Sequence, residues 1–113
     1  MLSTLELSKV VYPLCRREFN VNETLRLLKM YGFKFLSWGV SKKISFDEKC
    51  LCLKVSGRHH KGWVVITLDW LDTYIVNIVS NKGEILDTYE MVYFDELFDT
   101  IDKRIEYIKE YGS

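Results

Sequence analysis

The chain has 113 residues, of which 48% are hydrophobic, 14% aromatic and 28% charged, with six Gly and one Pro. This length predicts a single domain over residues 1–113 that buries one hydrophobic core, and the composition excludes a disordered or collagen-like chain. No uncharged run approaches the roughly 18 residues of a membrane helix, and no cationic start followed by an apolar block marks a secretory signal. Three cysteines without an export signal predict reduced thiols in a cytoplasmic protein that does not bind membranes.

The charges are balanced overall but unevenly distributed along the chain. Lys and Arg number 16, as do Asp and Glu, so the formal net charge is zero. Residues 1–68 carry a net charge of +7, however, and residues 69–113 carry −7. Such a split fits separate basic and acidic faces, pairing between the two halves, or a mixed surface if the fold interleaves them.

Residues 1–32 have the pattern of two helices. Ser3 begins a capping-box sequence, in which a hydroxyl and a carboxylate satisfy free amides at a helix start. Pro13 is expected to end this helix, because it lacks a backbone donor and its ring clashes with the preceding turn. A second helix is expected to begin at Asn20 and to end before Gly32.

From residue 33 the hydrophobic period changes to two, which predicts an antiparallel sheet over residues 33–92. Asn81, Lys82 and Gly83 are typical of a hairpin turn and lie between two of the expected strands. Because parallel pairs need a dozen or more connecting residues, the short links imply a meander. The expected strands cover residues 33–40, 50–55, 63–68, 73–80 and 84–92.

The last segment, residues 95–111, has the clearest helical pattern. Its apolar residues recur at spacings of three and four and form one stripe that should cover the sheet. These residues are Phe94, Leu97, Phe98, Ile101, Ile105 and Ile108. The predicted fold class is therefore α+β: N-terminal helices, a four- to five-stranded antiparallel meander, and a C-terminal amphipathic helix packed on the sheet.

Neither a metal site nor a catalytic site emerges from the motifs. Cys50, Cys52, His59 and His60 are the residue types of a Cys₂His₂ zinc site. If the flanking strands form a hairpin, however, the histidines lie at its tip and Cys50 lies seven residues back, roughly 23 Å away at ~3.3 Å per residue. No nucleophile elbow, metalloprotease motif or phosphate-binding glycine loop occurs, so we expect no metal, no cofactor and no enzyme.

Two groups of residues are candidate binding sites. A basic and aromatic set offers phosphate contacts beside stacking rings, as in single-strand binders, although polar turns and a core Trp explain it equally. This set comprises Lys42, Lys43, Arg58, His59, His60, Lys61 and Trp63. An acidic set on the C-terminal helix would present negative charge to a basic partner, and it comprises Asp95, Glu96, Asp99, Asp102 and Glu106.

Several segments together carry a resemblance over roughly residues 24–105. They are residues 35–43, 51–58, 61–68, 72–74 and 95–98. The chain resembles small proteins of prophages and mobile elements in gut bacteria, a group with no assigned activity. The predicted sheet followed by one helix is also similar to single-strand-binding transcription cofactors, although the two leading helices depart from that fold.

The resemblance implies a non-catalytic accessory protein that binds a macromolecule. We expect a protein partner, encoded by the host or by the element, because a net charge of zero gives no long-range attraction to nucleic acid. The alternative is a single-stranded nucleic-acid-binding protein that uses the basic and aromatic set. A homo-oligomer is compatible with either function, and an unrecognised enzyme ranks last.

Overall fold

The computed structural model describes residues 2–106 and confirms the α+β class. Within these residues, four α-helices and five strands follow one another along the chain. They are α1 (Thr4–Val11), α2 (Val21–Lys29), α3 (Phe33–Leu36), β1 (Lys42–Ile44), β2 (Leu51–Ser56), β3 (Lys61–Leu68), β4 (Tyr74–Ser80), β5 (Ile85–Val92) and α4 (Leu97–Ile105).

The first two helices begin and end where the sequence predicts. The Ser3 hydroxyl accepts a hydrogen bond from the Glu6 N–H at 3.1 Å, and the Glu6 carboxylate accepts one from the Ser3 N–H at 3.1 Å. This reciprocal pair is the capping box. After α1 the chain continues as a 3₁₀ turn that contains Pro13. Asn20 caps α2 by accepting from the Glu23 N–H at 3.0 Å.

The predicted strand over residues 33–40 is wrong. Gly32 has φ of +58°, in the left-handed region, and the chain then re-enters a helix as α3. Phe35 and Trp38, three residues apart, both lie in the core, so the buried side chains follow a helical period. Aromatic residues favour strands because they pack well on a pleated, half-buried surface, and here a short helix supplies the same burial.

The strands form one antiparallel sheet in the order β1-β2-β3-β4-β5, which confirms the meander. Lys42 and Lys43 pair with Lys54 and Leu53, so they lie on the edge strand β1, which is not among the expected strands. The β2–β3 hairpin on which the zinc argument depends is present, with residues 57–60 at its tip.

Helices cover both faces of the sheet. On the first face, α2, α3 and α4 pack against Leu51, Leu53 and Val55 of β2, as the alternation of that strand predicts. On the second face, Leu7 and Val11 of α1 belong to one core cluster with strand residues. The strand residues of this cluster are Cys52, Trp63, Val65 and Val79, and Cys50, just before β2, also belongs to it.

The C-terminal helix begins later than predicted. It starts at Leu97 and not at residue 95, because the preceding residues form a turn in which the Glu96 N–H donates to the Tyr93 carbonyl at 2.9 Å. Its buried stripe consists of Leu97, Phe98, Ile101 and Ile105, which confirms that part of the prediction. Phe94 was expected in the stripe, but it is 67% exposed. Residues 107–111 and the predicted contact of Ile108 lie outside the described residues.

Candidate functional site

Hydrogen bonds join the basic β2–β3 turn to the end of α4. The Arg58 N–H donates to Glu106 Oε2 at 2.7 Å, and the Arg58 guanidinium lies 3.6 Å from Glu106 Oε1. The His59 N–H donates to the Ile105 carbonyl at 2.8 Å. A Cβ at Gly57 would lie 2.5 Å from the same carbonyl oxygen, so the close approach requires glycine. Arg58, from the basic and aromatic set, therefore binds Glu106, from the acidic set.

Two residues of the basic and aromatic set are buried. Trp63 is 2% exposed, so its ring belongs to the second-face core and offers no free side for stacking. His60 is 6% exposed, and its Nε2 lies 3.2 Å from the Trp63 carbonyl oxygen. Burial lowers the pKa of His60 below its usual value. The remaining members are exposed, namely Lys42, Lys43, Arg58, His59 and Lys61.

The register brings three lysines to the second face of the sheet. Lys42 pairs with Lys54, and Lys54 pairs with Trp63, so their side chains lie on the same face. Lys61 precedes Trp63 by two residues and shares that face. The Lys54 Nζ lies 5.8 Å from the centre of the Trp63 ring. This row of charge was not predicted as a unit, because it depends on strand register.

The acids of α4 divide into two groups. Asp102 Oδ1 accepts from the Trp38 Nε1–H at 2.8 Å, and Glu106 binds the turn described above. Both therefore act within the fold. Asp95, Glu96 and Asp99 are exposed at the beginning of the helix.

Exposed apolar side chains adjoin the free acids. Met91 is 63% exposed, Tyr93 53% and Phe94 67%, directly before Asp95 and Glu96. We call these five residues the acidic–aromatic surface. The sequence reading missed it, because Phe94 fits the helical stripe until the start of α4 is known. Trp70 and Leu71, in the turn between β3 and β4, are also exposed, at 71% and 75%.

The acidic–aromatic surface includes an irregularity in β5. Between Tyr74 and Val76 of β4 the pairing with β5 shifts, as at a β-bulge. Met91 lies in this stretch with φ of +55°, a left-handed conformation that is rare for residues other than glycine. Val92 is buried and Met91 is exposed, so the methionine at the irregular position faces outward.

The three cysteines of the chain converge beneath α1. The Cys52 thiol lies 3.9 Å from Cys50 Sγ, and the Phe46 N–H donates to the same sulfur at 3.4 Å. The hydrogen bond from Cys52 is the main reason why the pKa of Cys50 falls to about 7, whereas burial raises that of Cys15 to about 12. All three are free thiols, and Cys50 and Cys52 are fully buried.

The part of the chain that the structure describes holds neither a metal-binding cluster nor a membrane-spanning helix. Among residues 2–106, no group of three or more His, Cys, Asp and Glu side chains is arranged to hold a metal ion. The described helices are all too short and too polar to cross a bilayer.

No protein-family model, curated protein or solved structure matches this chain. The resemblance to proteins of prophages and mobile elements therefore stays a prediction, and the candidate sites are argued from the chain's own geometry.

Proposed function

We propose that this chain is a non-catalytic binding protein, an accessory protein of phage or mobile-element type in the cytoplasm, whose partner is a protein. The acidic–aromatic surface carries this proposal. Two aromatic rings and a methionine, each more than half exposed, stand there beside two free carboxylates. Aromatic residues and Met are enriched in protein interfaces, where aromatic rings bury a large area with few rotamers to fix and Met adapts to irregular surfaces.

The backbone at Met91 adds independent support. A residue other than glycine in the left-handed region costs of order 1–3 kcal/mol, and such strain is concentrated at functional sites. Met91 adopts this conformation at the shifted pairing of β5 with β4, where Val92 is buried and the Met91 side chain faces solvent. The irregular backbone therefore presents this methionine to a partner.

The charges of this surface suit a basic partner. Asp95, Glu96 and Asp99 lie within or next to the first turn of α4 and are exposed. Exposed charges steer association more than they strengthen the final complex. We therefore expect these acids to set the rate of encounter and the rings to supply most of the affinity.

A photo-crosslinking amino acid at position 94 tests the proposal directly. In lysate of cells that encode the chain, this variant should form a discrete adduct with a protein, which mass spectrometry then identifies. The same crosslinker at Lys82, exposed in the turn between β4 and β5, is the matched control and should give no such adduct. Equal adducts from both positions, or none from position 94, would contradict the proposal.

The alternative, single-stranded nucleic-acid binding, draws support from the row formed by Lys42, Lys54 and Lys61. Its difficulty is the burial of Trp63, which removes the stacking ring on which that reading relied. Replacement of Lys42 and Lys61 by Glu is the sharper test, since Arg58 is engaged by Glu106. Micromolar oligonucleotide binding at physiological salt that this double change abolishes would favour the alternative.

A further inference from the structure

A cleft of about 440 Å³ lies between α3 and the edge strand β1. Phe35, Leu36 and Val40 give it apolar walls, and Lys29 and Lys43 stand at its border. We call it the α3 cleft. It is large enough for an aromatic side chain, and its apolar walls with a few charged groups are typical of binding sites.

The two lysines of the α3 cleft are close enough to repel each other. The ammonium group of Lys29 lowers the pKa of Lys43 below its usual value. Two like charges at one cleft create a position where a carboxylate would be attracted by both.

Part of the apolar lining of the α3 cleft faces solvent. Leu36, which lines the cleft, is 69% exposed, and Met30 and Phe33, which are close in sequence to the lining residue Gly32, are 77% and 89% exposed. Exposed apolar surface on a small domain marks interaction sites. The cleft thus combines apolar surface with positive charge.

We propose that a second copy of this chain occupies the α3 cleft with its acidic–aromatic surface. The inference rests on the proposed function, since it names the partner of that surface. The two surfaces match in chemistry: Phe94 stands next to Asp95 and Glu96, and the apolar cleft stands between Lys29 and Lys43. The aromatic ring enters the cleft, and the carboxylates meet the two ammonium groups.

Because the contact joins two different surfaces, it forms either a closed ring of copies, of which a reciprocal pair is the smallest, or an open chain. In both cases association depends on opposite charges that are exposed in the monomer. Raising the salt concentration should therefore weaken it, as screening shortens the reach of exposed charges to about 10 Å at 0.1 M and 3 Å at 1 M.

Sedimentation velocity of two charge-reversed variants tests the proposal. One variant carries Lys29→Glu and Lys43→Glu, and the other carries Asp95→Lys and Glu96→Lys. The wild type should associate as its concentration rises, and each variant alone should weaken association at least about tenfold. An equimolar mixture of the two variants should regain association, because the intact cleft of one variant meets the intact acidic–aromatic surface of the other.

A double change of Lys61 and Lys82 to Glu is the matched control for the variant with Lys29→Glu and Lys43→Glu, since it lowers the net charge by the same amount at exposed positions outside both surfaces. This control should associate as the wild type does. If a reversed variant fails to fold by circular dichroism, the neutral changes Lys29→Gln with Lys43→Gln and Asp95→Asn with Glu96→Gln replace it.

Three results would overturn the inference. They are a wild type that stays monomeric up to about 0.5 mM, association that survives both variants, and a mixture that stays monomeric. A monomeric wild type whose crosslinker at position 94 captures a different protein would overturn this inference alone and would leave the proposed function in place.

Discussion

Gly57 lies where the β2–β3 turn meets the end of α4, and a methyl group there should separate the two. The added Cβ would lie 2.5 Å from the Ile105 carbonyl oxygen, a backbone atom that cannot move aside cheaply. Relief of this clash should break the hydrogen bonds from the His59 and Arg58 amides, which measure 2.8 and 2.7 Å. With about 1 kcal/mol for the first and 1.5–3 for the second, which ends on a carboxylate, Gly57→Ala should cost roughly 2–4 kcal/mol.

Urea denaturation gives the free energy of unfolding, and hydrogen exchange gives the protection of the His59 amide. Gly32→Ala is the matched control. A Cβ at this position meets no described heavy atom within 4 Å, but the alanine backbone must adopt φ of +58°. It should cost about 1–3 kcal/mol from the backbone alone and leave the His59 amide protected. Unchanged His59 protection in Gly57→Ala, or a cost under about 0.5 kcal/mol, would refute the reasoning.

Three further predictions concern the interior. Ile101→Ala should lower the free energy of unfolding by roughly 2–5 kcal/mol in a urea titration, because this side chain of α4 is fully buried in the core. A cost under about 1 kcal/mol would contradict this. Asp102→Ala should cost about 1–3 kcal/mol by leaving the Trp38 Nε1–H without its acceptor, whereas the exposed Asp99→Ala should change stability by less than about 0.5 kcal/mol. Burial lowers the pKa of His60, so below about pH 6.5 the unfolded chain binds a proton that the native chain does not; stability should fall from pH 7 to pH 5, and a parallel slope in His60→Gln would contradict this.

Local signals in the sequence predicted the elements whose ends are set by local chemistry. Ser3 and Asn20 cap helices because their side chains reach amides three residues ahead, and Pro13 ends α1 for an equally local reason. The alternation in β2 succeeded because each face of that strand contacts a different helix layer. The predicted stripe of α4 is confirmed from Leu97 to Ile105 because its face is set by helical periodicity.

The failures fall where a distant contact decides the outcome. Residues 33–40 have the composition of a strand, but Trp38 is held by Asp102 of α4, far along the chain. Trp63 looked available for stacking because nothing nearby in sequence shows that α1 covers its face of the sheet. The convergence of Cys15 on Cys50 likewise depends on how α1 and its 3₁₀ turn cross β2.

Some of the opposite charges of the two halves pair with each other in the fold. Arg17 with Asp72 at 2.7 Å, and Arg58 with Glu106, each join a base from residues 1–68 to an acid from residues 69–113. These pairs tie loops to distant elements, so part of the charge split is used for pairing between the halves.

The charges of the α3 cleft and of the acidic–aromatic surface stand beside exposed apolar groups. An ion pair fully exposed to water contributes only about 0–1 kcal/mol, because water and salt screen it. The same charges act more strongly when an apolar contact excludes water around them, since the effective dielectric constant falls. Their placement next to Leu36 and Phe94 is therefore what the proposed association requires, and the mixed-variant experiment separates this role from stability of the monomer.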